Sequence, residues 1–440
     1  MSWVMQRRIV AHEGAVRDLL AALRARLRAL GETEETCGTV EIVIAEALNN
    51  IVERRSGLAW VSTALARQSL KNTDDAPTQP LSNNVRARIA RFDPADVSTD
   101  AETALLAEAF EDWKHERRRG MVAVTGQRGS GKSRLIRRVP EIVGTADDSL
   151  PIHQVRLDRD IFNPADALAW LVTALAGRSE SVEDSDTAIT LLDRLPPTVF
   201  VIDDLHRCFL RAVGGYRGLR EILTTMHAVS DRHFWICSFH GDNWAYLEGI
   251  GGAVNLGVFR SRVAMQPLAP STLRDWLEAH TRKAGIEPTY DDLAAEGWIG
   301  SDPDRARERA RNAYFRLLAE ATRGNPRVAL ETWSQSLRKG DQEGQAAVVL
   351  FDQPDSEILA QGGKHALFVL AALVVHDGLE VRDLVRVLNL PEATCRSACR
   401  RLEGLGVLVS DSADQHYDIH LSWAPAVHRH LRRKHLLHRE

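Results

Sequence analysis

The sequence has few cysteines, little net charge and no long apolar run, and each shortage argues against a class of protein. Its five cysteines among 440 residues form no C-x-x-C pair. The sequence therefore supports neither a zinc site nor a disulfide framework, and it predicts a reducing, cytoplasmic location. The formal net charge of -4 means that any surface for nucleic acid must be local. The longest apolar stretch, residues 366–375, is too short to cross a bilayer, and the first residues lack the apolar region of a signal peptide, so we expect no membrane insertion.

A glycine-rich segment with a lysine and a serine carries the strongest chemical signal. Residues 122–138 read VAVTGQRGSGKSRLIRR, an apolar run followed by a glycine-rich turn and a helix-prone segment. This spacing after a strand is typical of a phosphate-binding loop, because backbone N–H groups approach a polyphosphate closely only where no Cβ intervenes. We predict that Lys132 contacts the β- and γ-phosphates and that Ser133 binds Mg²⁺. The residues predicted to bind ATP or ADP are Gly126, Gln127, Arg128, Gly129, Ser130, Gly131, Lys132, Ser133 and Arg134.

A second acidic motif follows downstream. Residues 198–207 read TVFVIDDLHR, a β-branched and aromatic run that ends in two aspartates. Asp203 is predicted to hold Mg²⁺ and Asp204 to orient the attacking water, both at the carboxyl end of a strand where open α/β sheets bind ligands. Because Asp204 is one methylene shorter than glutamate, hydrolysis is expected to be slow, and both a switch and a motor remain open.

Two later strands carry candidates for sensing the phosphates. Residues 233–244 read HFWICSFHGDNW, and Ser238 is the first candidate to sense the γ-phosphate, with His240 and Asn243 as alternates. Arg260 and Arg262 precede a fifth apolar strand. A guanidinium there could complete the site of a neighbouring subunit, or it could be an ordinary surface arginine.

The order of these motifs resembles the AAA+ ATPases, with kinship to the signal-transduction NTPases that favour a double aspartate. The resemblance covers roughly residues 103–340. It implies an α/β fold with a P-loop parallel sheet, ATP and Mg²⁺ as cofactors, and a helical lid with a sensor arginine. Arg327 follows a Gly-Asn-Pro turn at the position of that sensor, and Pro326 suits the first turn of its helix.

The C-terminal segment predicts a winged helix, a domain order that resembles origin-recognition-type initiators. Residues 364–420 read as three helices and a hairpin, and the third helix carries Arg396, Arg400 and Arg401 before a basic C-terminus. This pattern is typical of a DNA reader. The predicted wing also carries three acidic residues, Asp411, Asp414 and Asp418. These would repel DNA phosphates, so a packing module is the alternative.

The N-terminal segment resembles part of another family. Residues 40–53 read VEIVIAEALNNIVE, and Glu46 and Asn50 match the N-box of anti-sigma-factor serine kinases of the histidine-kinase-like ATPase superfamily. No D-x-G-x-G box follows, so we predict a remodelled domain that does not bind ATP, or a two-helix packing element.

These patterns predict five segments and a nucleotide-dependent function. The segments are an N-terminal helical segment (1–55), a linker (56–102), a P-loop ATPase core (103–270), a helical lid (271–345) and a winged-helix domain (346–440). The expected function is a regulatory ATPase or switch that acts as a homo-oligomer or with a protein partner. The alternative is a signalling scaffold that binds ATP without hydrolysing it.

Overall fold

The computed structural model describes residues 80–91, 99–116, 119–144, 150–177, 182, 184–294, 302–411 and 415–437. The prediction for the N-terminal segment, with Glu46 and Asn50, lies outside these residues.

A five-stranded parallel sheet forms the centre of the chain, in the order β2-β3-β4-β1-β5. The strands are β1 (Met121–Gly126), β2 (Ile152–Arg156), β3 (Val199–Asp203), β4 (Phe234–His240) and β5 (Ser261–Ala264). The helices of this core are α2 (Asp100–Glu116), α3 (Lys132–Arg137), α4 (Val139–Gly144), α5 (Pro164–Ala176), α6 (Ser185–Asp193), α7 (Arg217–Ala228) and α8 (Gly241–Ile250). A short 3₁₀ helix, Leu205–Cys208, follows β3.

Burial on both faces explains why the inner strands read as continuous apolar runs. Every residue of β3 and β4 is buried, as parallel sheets covered by helices require. One apolar cluster packs on each face, the first around Trp235 and Phe200 and the second around Phe110 and Phe234. The predicted α/β fold with a parallel sheet that carries the glycine-rich loop is therefore confirmed.

The lid that follows the core contains strands as well as the predicted helices. Its helices are α9 (Pro270–Lys283), α10 (Asp291–Ala294), α11 (Pro303–Thr322) and α12 (Pro326–Ser336). Its small sheet has the order β6-β8-β7, with β6 (Glu287–Thr289), β7 (Leu337–Lys339) and β8 (Gln345–Val348). These three- and four-residue strands carry too short a pattern to be predicted.

Part of the predicted linker belongs to the lid. Helix α1 (Asn83–Ala90) packs on α12, and Leu81 and Ile89 are buried in the lid's apolar cluster with Trp333. His280 of α9 lies 3.0 Å from the Ile89 carbonyl. The prediction of a linker was therefore wrong for residues 80–91. The sequence there is mostly polar, and only a few apolar side chains, such as Leu81 and Ile89, pack against the lid.

The C-terminal domain, residues 356–437, has the element order predicted for a winged helix. Its helices are α13 (Ser356–Gln361), α14 (Lys364–His376), α15 (Val381–Leu388), α16 (Glu392–Gly404) and α17 (Ala424–Arg433). Its sheet has the order β10-β11-β9, with β9 (Leu379–Glu380), β10 (Leu408–Ser410) and β11 (His416–Ile419). As predicted, α16 starts at Glu392 after Pro391 and ends at Gly404. No helix in the described ranges combines the length and apolar character of a membrane span.

Candidate functional site

The glycine-rich loop joins the carboxyl end of β1 to the amino end of α3. Gly129 and Gly131 have φ angles of 81° and 105°, in the left-handed region that favours glycine. A Cβ on Gly126 would lie 2.6 Å from the Ser130 hydroxyl, closer than side-chain packing allows. The glycines are therefore required by the backbone path and by close approach, as expected for a loop whose backbone surrounds an anion.

Lys132 lies buried within this loop. Its Nζ donates to the carbonyl of Gly126 at 2.8 Å and to that of Gln127 at 3.1 Å, and the residue is 7% exposed. Burial lowers the pKa of Lys132, while the carboxylates of Asp377, Asp204 and Asp203 oppose that shift. The structure thus brings Lys132 within electrostatic range of both β3 aspartates.

Ser238 holds the two aspartates at the end of β3. Its hydroxyl donates to Asp203 Oδ1 at 2.5 Å and accepts from the Asp204 backbone N–H at 2.8 Å. Strand β4 continues to His240, so Ser238 lies two residues before the strand's end and is fully buried. The geometry places Ser238 as a positioning residue behind the carboxylates, while His240 occupies the strand's end.

Asp204 has a cationic partner of its own. Arg156, the last residue of β2, donates through Nε to Asp204 Oδ2 at 2.9 Å, and its side chain is 68% exposed. Asp204 has a left-handed backbone, with φ at 63°, which turns the chain at the end of the strand. The carboxylate predicted to orient water is thus paired with an exposed arginine.

The oxygen donors fit Mg²⁺ bound together with a phosphate. Mg²⁺ is held by one or two protein oxygens plus waters and substrate phosphates, and the Ser133 hydroxyl and the Asp203 carboxylate are donors of this kind. Within the described ranges, His, Cys, Asp and Glu form no group of three that could hold a metal. A metal here would therefore need ligands from the phosphates, as a nucleotide-bound Mg²⁺ has.

A cavity of about 340 Å³, the loop cavity, is lined by Lys132, Ser133 and Asp204 among other residues. Its lining residues are Arg128, Gly129, Gly131, Lys132, Ser133, Arg134, Arg137, Arg156, Asp204, Arg207, Arg327, Asp377 and Asp418. Seven are lysine or arginine and three are aspartate, so the cavity carries four more positive than negative side chains. Such a charge excess in a concave site attracts an anion of several charges.

The lid contacts the loop directly. The Asn325 side-chain amide donates to the Arg128 carbonyl at 2.8 Å, and its Oδ1 accepts from the N–H groups of Arg327 and Val328 at the start of α12. A Cβ on Gly129 would lie 2.8 Å from Arg327 Cβ. The predicted Gly-Asn-Pro turn therefore holds Arg327 at the loop, where it lines the loop cavity.

A second cavity of about 600 Å³, the lid cavity, adjoins the first at Arg128 and Asp377. Its walls come from the core, the lid and the C-terminal domain. Its apolar lining includes Met265, Leu268, Val328 and Leu373. Apolar walls with a few polar groups, at this volume, are typical of small-molecule sites.

The C-terminal domain places two carboxylates at the loop. Arg128 Nη1 lies 3.0 Å from Asp418 Oδ1 of β11. Asp377 follows α14, lines both cavities and has its Oδ1 4.0 Å from His240 Nε2. Burial opposes ionisation of Asp377, but the surrounding imidazoles and the charges of Arg128 and Lys132 lower its pKa below the usual range. The C-terminal domain therefore adds negative charge to a site otherwise rich in cations.

Most of the predicted site residues come together around the two cavities. Those lining the loop cavity are Arg128, Gly129, Gly131, Lys132, Ser133, Arg134, Asp204 and Arg327. Those lining the lid cavity are Gly126, Gln127, Arg128, Ser130, His240 and Arg262. Their roles toward a nucleotide remain predictions.

Arg260 and Arg262, the arginines that could complete the site of a neighbouring subunit, have partners within their own chain. Arg260 donates its backbone N–H to the Met121 carbonyl, at the amino end of the sheet, and Arg260 Nη2 lies 3.1 Å from Glu116. Arg262 was predicted to precede the strand, but it lies inside β5. Its Nε donates to the Thr125 hydroxyl at 3.0 Å. Arg260 is therefore remote from the carboxyl edge that carries the loop.

Sequence reasoning missed Arg156, Asp377 and Asp418. Arg156 ends the observed strand β2, at the carboxyl edge of the sheet where open α/β sheets bind ligands. Asp377 and Asp418 had no local signal, because only the docking of the C-terminal domain brings them to the loop.

Comparison with known proteins yields likeness in shape alone. No family model matches the chain, and no curated protein matches it. Among solved structures, the chain is similar to the Aeropyrum pernix ORC1 protein in complex with DNA, with 16% identity, a TM-score of 0.36 and coverage of 80% of this chain and 97% of that one. It is also similar to Cdc6p from Pyrobaculum aerophilum, with 14% identity, a TM-score of 0.36 and coverage of 78% and 99%. A third is the Thermotoga maritima RuvB Holliday junction branch migration motor, with 12% identity, a TM-score of 0.31 and coverage of 76% and 97%. At these identities and TM-scores the matches carry no inference about activity.

Proposed function

We propose that this chain is a nucleotide-dependent regulatory ATPase of the AAA+ kind, which binds ATP or ADP with Mg²⁺. One observation carries the proposal: the glycine loop, Lys132 and Asp204 meet at a cavity with an excess of four positive side chains, and Asp203 lies within electrostatic range of Lys132. The phosphates would lie in the loop cavity, and the base and ribose would lie in the adjoining lid cavity.

Each cation and carboxylate has a distinct part in this proposal. The bound Mg²⁺, held by Ser133 and Asp203, would neutralise charge on the β- and γ-phosphates. Lys132 would exchange its two carbonyl acceptors for phosphate oxygens, and Arg327 would bring positive charge from the lid. Asp204 would accept a hydrogen bond from the attacking water and orient it.

The Arg156–Asp204 pair favours a slow switch over a motor. While Asp204 Oδ2 accepts from Arg156, part of its acceptor capacity is occupied. Because the arginine is largely exposed, the pair gains little stability and can open at small cost. We expect turnover to depend on whatever displaces Arg156.

Nucleotide titration of the wild type and of Lys132→Ala tests the proposal. Loss of the buried cation should weaken ATP binding at least tenfold, since a charge-assisted hydrogen bond contributes about 1.5–3 kcal/mol. The control is Lys364→Ala, an exposed lysine at the start of α14. Equal ATP affinity for Lys132→Ala and the wild type would refute nucleotide binding at this loop.

The alternative is a scaffold that binds nucleotide without turning it over. Two ion pairs, Arg156 with Asp204 and Asp418 with Arg128, favour this alternative. They occupy the carboxylate predicted to orient water and an arginine predicted to bind the nucleotide. Steady-state phosphate release by the wild type and by Asp204→Ala separates the two functions. Release that Asp204→Ala reduces supports the ATPase, whereas no release from either protein supports the scaffold.

DNA contact and assembly are extensions of the same proposal. On α16, Arg396 pairs with Glu392 at 2.7 Å, while Arg400 and Arg401 are exposed, which leaves two cations available to DNA phosphates. Binding through them must weaken steeply as salt rises, so a titration over a salt series tests the contact. Arg260 or Arg262 could serve a neighbouring subunit only by giving up its present partner, and sedimentation with and without ATP tests that assembly.

A further inference from the structure

Four polar side chains from four parts of the chain form one continuous set of contacts, the polar belt. Arg323 directly follows the lid helix α11, and its Nη1 lies 3.2 Å from His428 Nδ1 on α17 of the C-terminal domain. His428 Nε2 lies 3.1 Å from Asp242 Oδ2 in the first turn of the core helix α8. The Asp242 carboxylate also accepts a hydrogen bond from the side chain of Gln127 in the glycine loop. Lid, C-terminal domain, core and loop are thus linked in series.

The chemistry of the partners sets the direction of each hydrogen bond. A guanidinium can only donate, so His428 Nδ1 must accept from Arg323 and the ring hydrogen is on Nε2. His428 Nε2 lies 3.1 Å from Oδ2 of the Asp242 carboxylate, which can only accept when ionised. Burial alone would raise the pKa of Asp242, but His428 and Gln127 outweigh it and lower the pKa to about 2. Asp242 is therefore the ionised acceptor shared by the loop and the C-terminal domain.

The centre of the polar belt is buried, and three of its four members line the lid cavity. Asp242 and His428 are 5% and 6% exposed, so solvent screens their contact weakly. Gln127, Arg323 and His428 all line the lid cavity. Gly241 permits the close approach at the loop, since a Cβ there would lie 3.1 Å from Gln127 Nε2. The path from the loop to the lid therefore runs beside the volume assigned to the base and ribose.

We propose that the polar belt fastens the lid and the C-terminal domain over the bound nucleotide, with His428 as the positioning residue that joins them to the loop. This inference rests on the proposed nucleotide site. The expected consequence is kinetic. The nucleotide dissociates slowly while these contacts are present, and a substitution that breaks one of them raises the dissociation rate without removing a side chain that contacts the phosphates.

The dissociation rate of N-methylanthraniloyl-ADP, chased with excess ADP from the full chain, tests this role. His428→Phe keeps the ring volume and removes both contacts, so release should accelerate about tenfold, the effect of about 1.4 kcal/mol. In His428→Gln the side-chain amide can accept from Arg323 and donate to Asp242, so release should stay within about threefold of the wild type. His430→Phe, on the same helix outside the cavity lining, is the matched control and should leave the rate unchanged.

A double variant separates a connected belt from independent contacts. Asp242→Ala and His428→Phe cut the same path, so the double variant should release ADP about as fast as either single variant. Multiplied effects, near a hundredfold, would contradict the belt, as would a wild-type rate for His428→Phe or equal acceleration by His428→Gln. Should His428→Phe fail to fold, Arg323→Met removes the contact between the lid and His428. The same acceleration of ADP release is expected from it, and a wild-type rate would contradict the proposal. These results differ from failure of the nucleotide site, which would appear as unchanged ADP affinity in Lys132→Ala.

Discussion

Neutralising Asp377 should tighten nucleotide binding. This carboxylate lines both cavities and belongs to the C-terminal domain, so it adds negative charge where phosphates are proposed to lie. Asp377→Asn keeps the side-chain shape, and asparagine tolerates the left-handed backbone that Asp377 adopts at φ 56°. The substitution therefore changes charge with little change in structure.

The magnitude follows from Coulomb's law in a partly buried site. Two unit charges about 8 Å apart at an effective dielectric constant of about 20 interact by roughly 2 kcal/mol. Counterions and rearrangement of Arg128 and Lys132, whose charges act on Asp377, reduce that repulsion. We expect a gain of about 1–2 kcal/mol, or a five- to thirtyfold lower Kd.

Calorimetric titration with ADP and with ATP measures the effect. ATP should gain more than ADP, because it brings more negative charge to the cavity. Asp352→Asn, an exposed aspartate outside both cavities, controls for the change in net charge. Unchanged or weaker nucleotide binding by Asp377→Asn in a folded chain would refute the electrostatic reasoning.

Two further substitutions address the groups behind the cavities. Ser238→Ala removes the hydroxyl that joins Asp203 to the Asp204 N–H and should lower the free energy of unfolding by about 1–3 kcal/mol, as measured in urea, and weaken Mg²⁺-dependent binding. Thr225→Ala is the control, because its buried hydroxyl has no hydrogen-bond partner in the described part of the chain; equal losses would exclude the bridging role. Asp242, with a pKa of about 2 against an ordinary 3.8, should stabilise the fold by about 2 kcal/mol above pH 4, a contribution lost as pH falls toward 2. Unfolding of Asp242→Asn over that pH range checks this, and a constant difference from the wild type would contradict it.

Local patterns predicted the core and the glycine loop well, because their determinants lie close together in sequence. The apolar runs of β1, β3 and β4, the loop glycines and the Gly-Asn-Pro turn before α12 are all short-range signals. The sequence pattern also predicted α14, α15 and α16 of the C-terminal domain, but not α13 or α17. These segments fold locally as their spacing requires.

Tertiary docking produces contacts that no local pattern predicted. Asp418, named above as a wing residue that would repel DNA phosphates, pairs with Arg128 of the loop. Likewise, His428 read as part of a basic C-terminus, whereas it lies buried against Asp242. Contacts between residues a hundred or more positions apart depend on how the domains pack against each other. The charge and periodicity of a single segment do not predict that packing.

A structure of the chain with Mg²⁺ and a non-hydrolysable ATP analogue tests the central claim most directly. The account predicts β- and γ-phosphate oxygens within hydrogen-bond distance of Lys132 Nζ, with the metal bound to Ser133 and Asp203 and the base in the lid cavity. A nucleotide bound elsewhere, with Lys132 still donating to the carbonyls of Gly126 and Gln127, would contradict it.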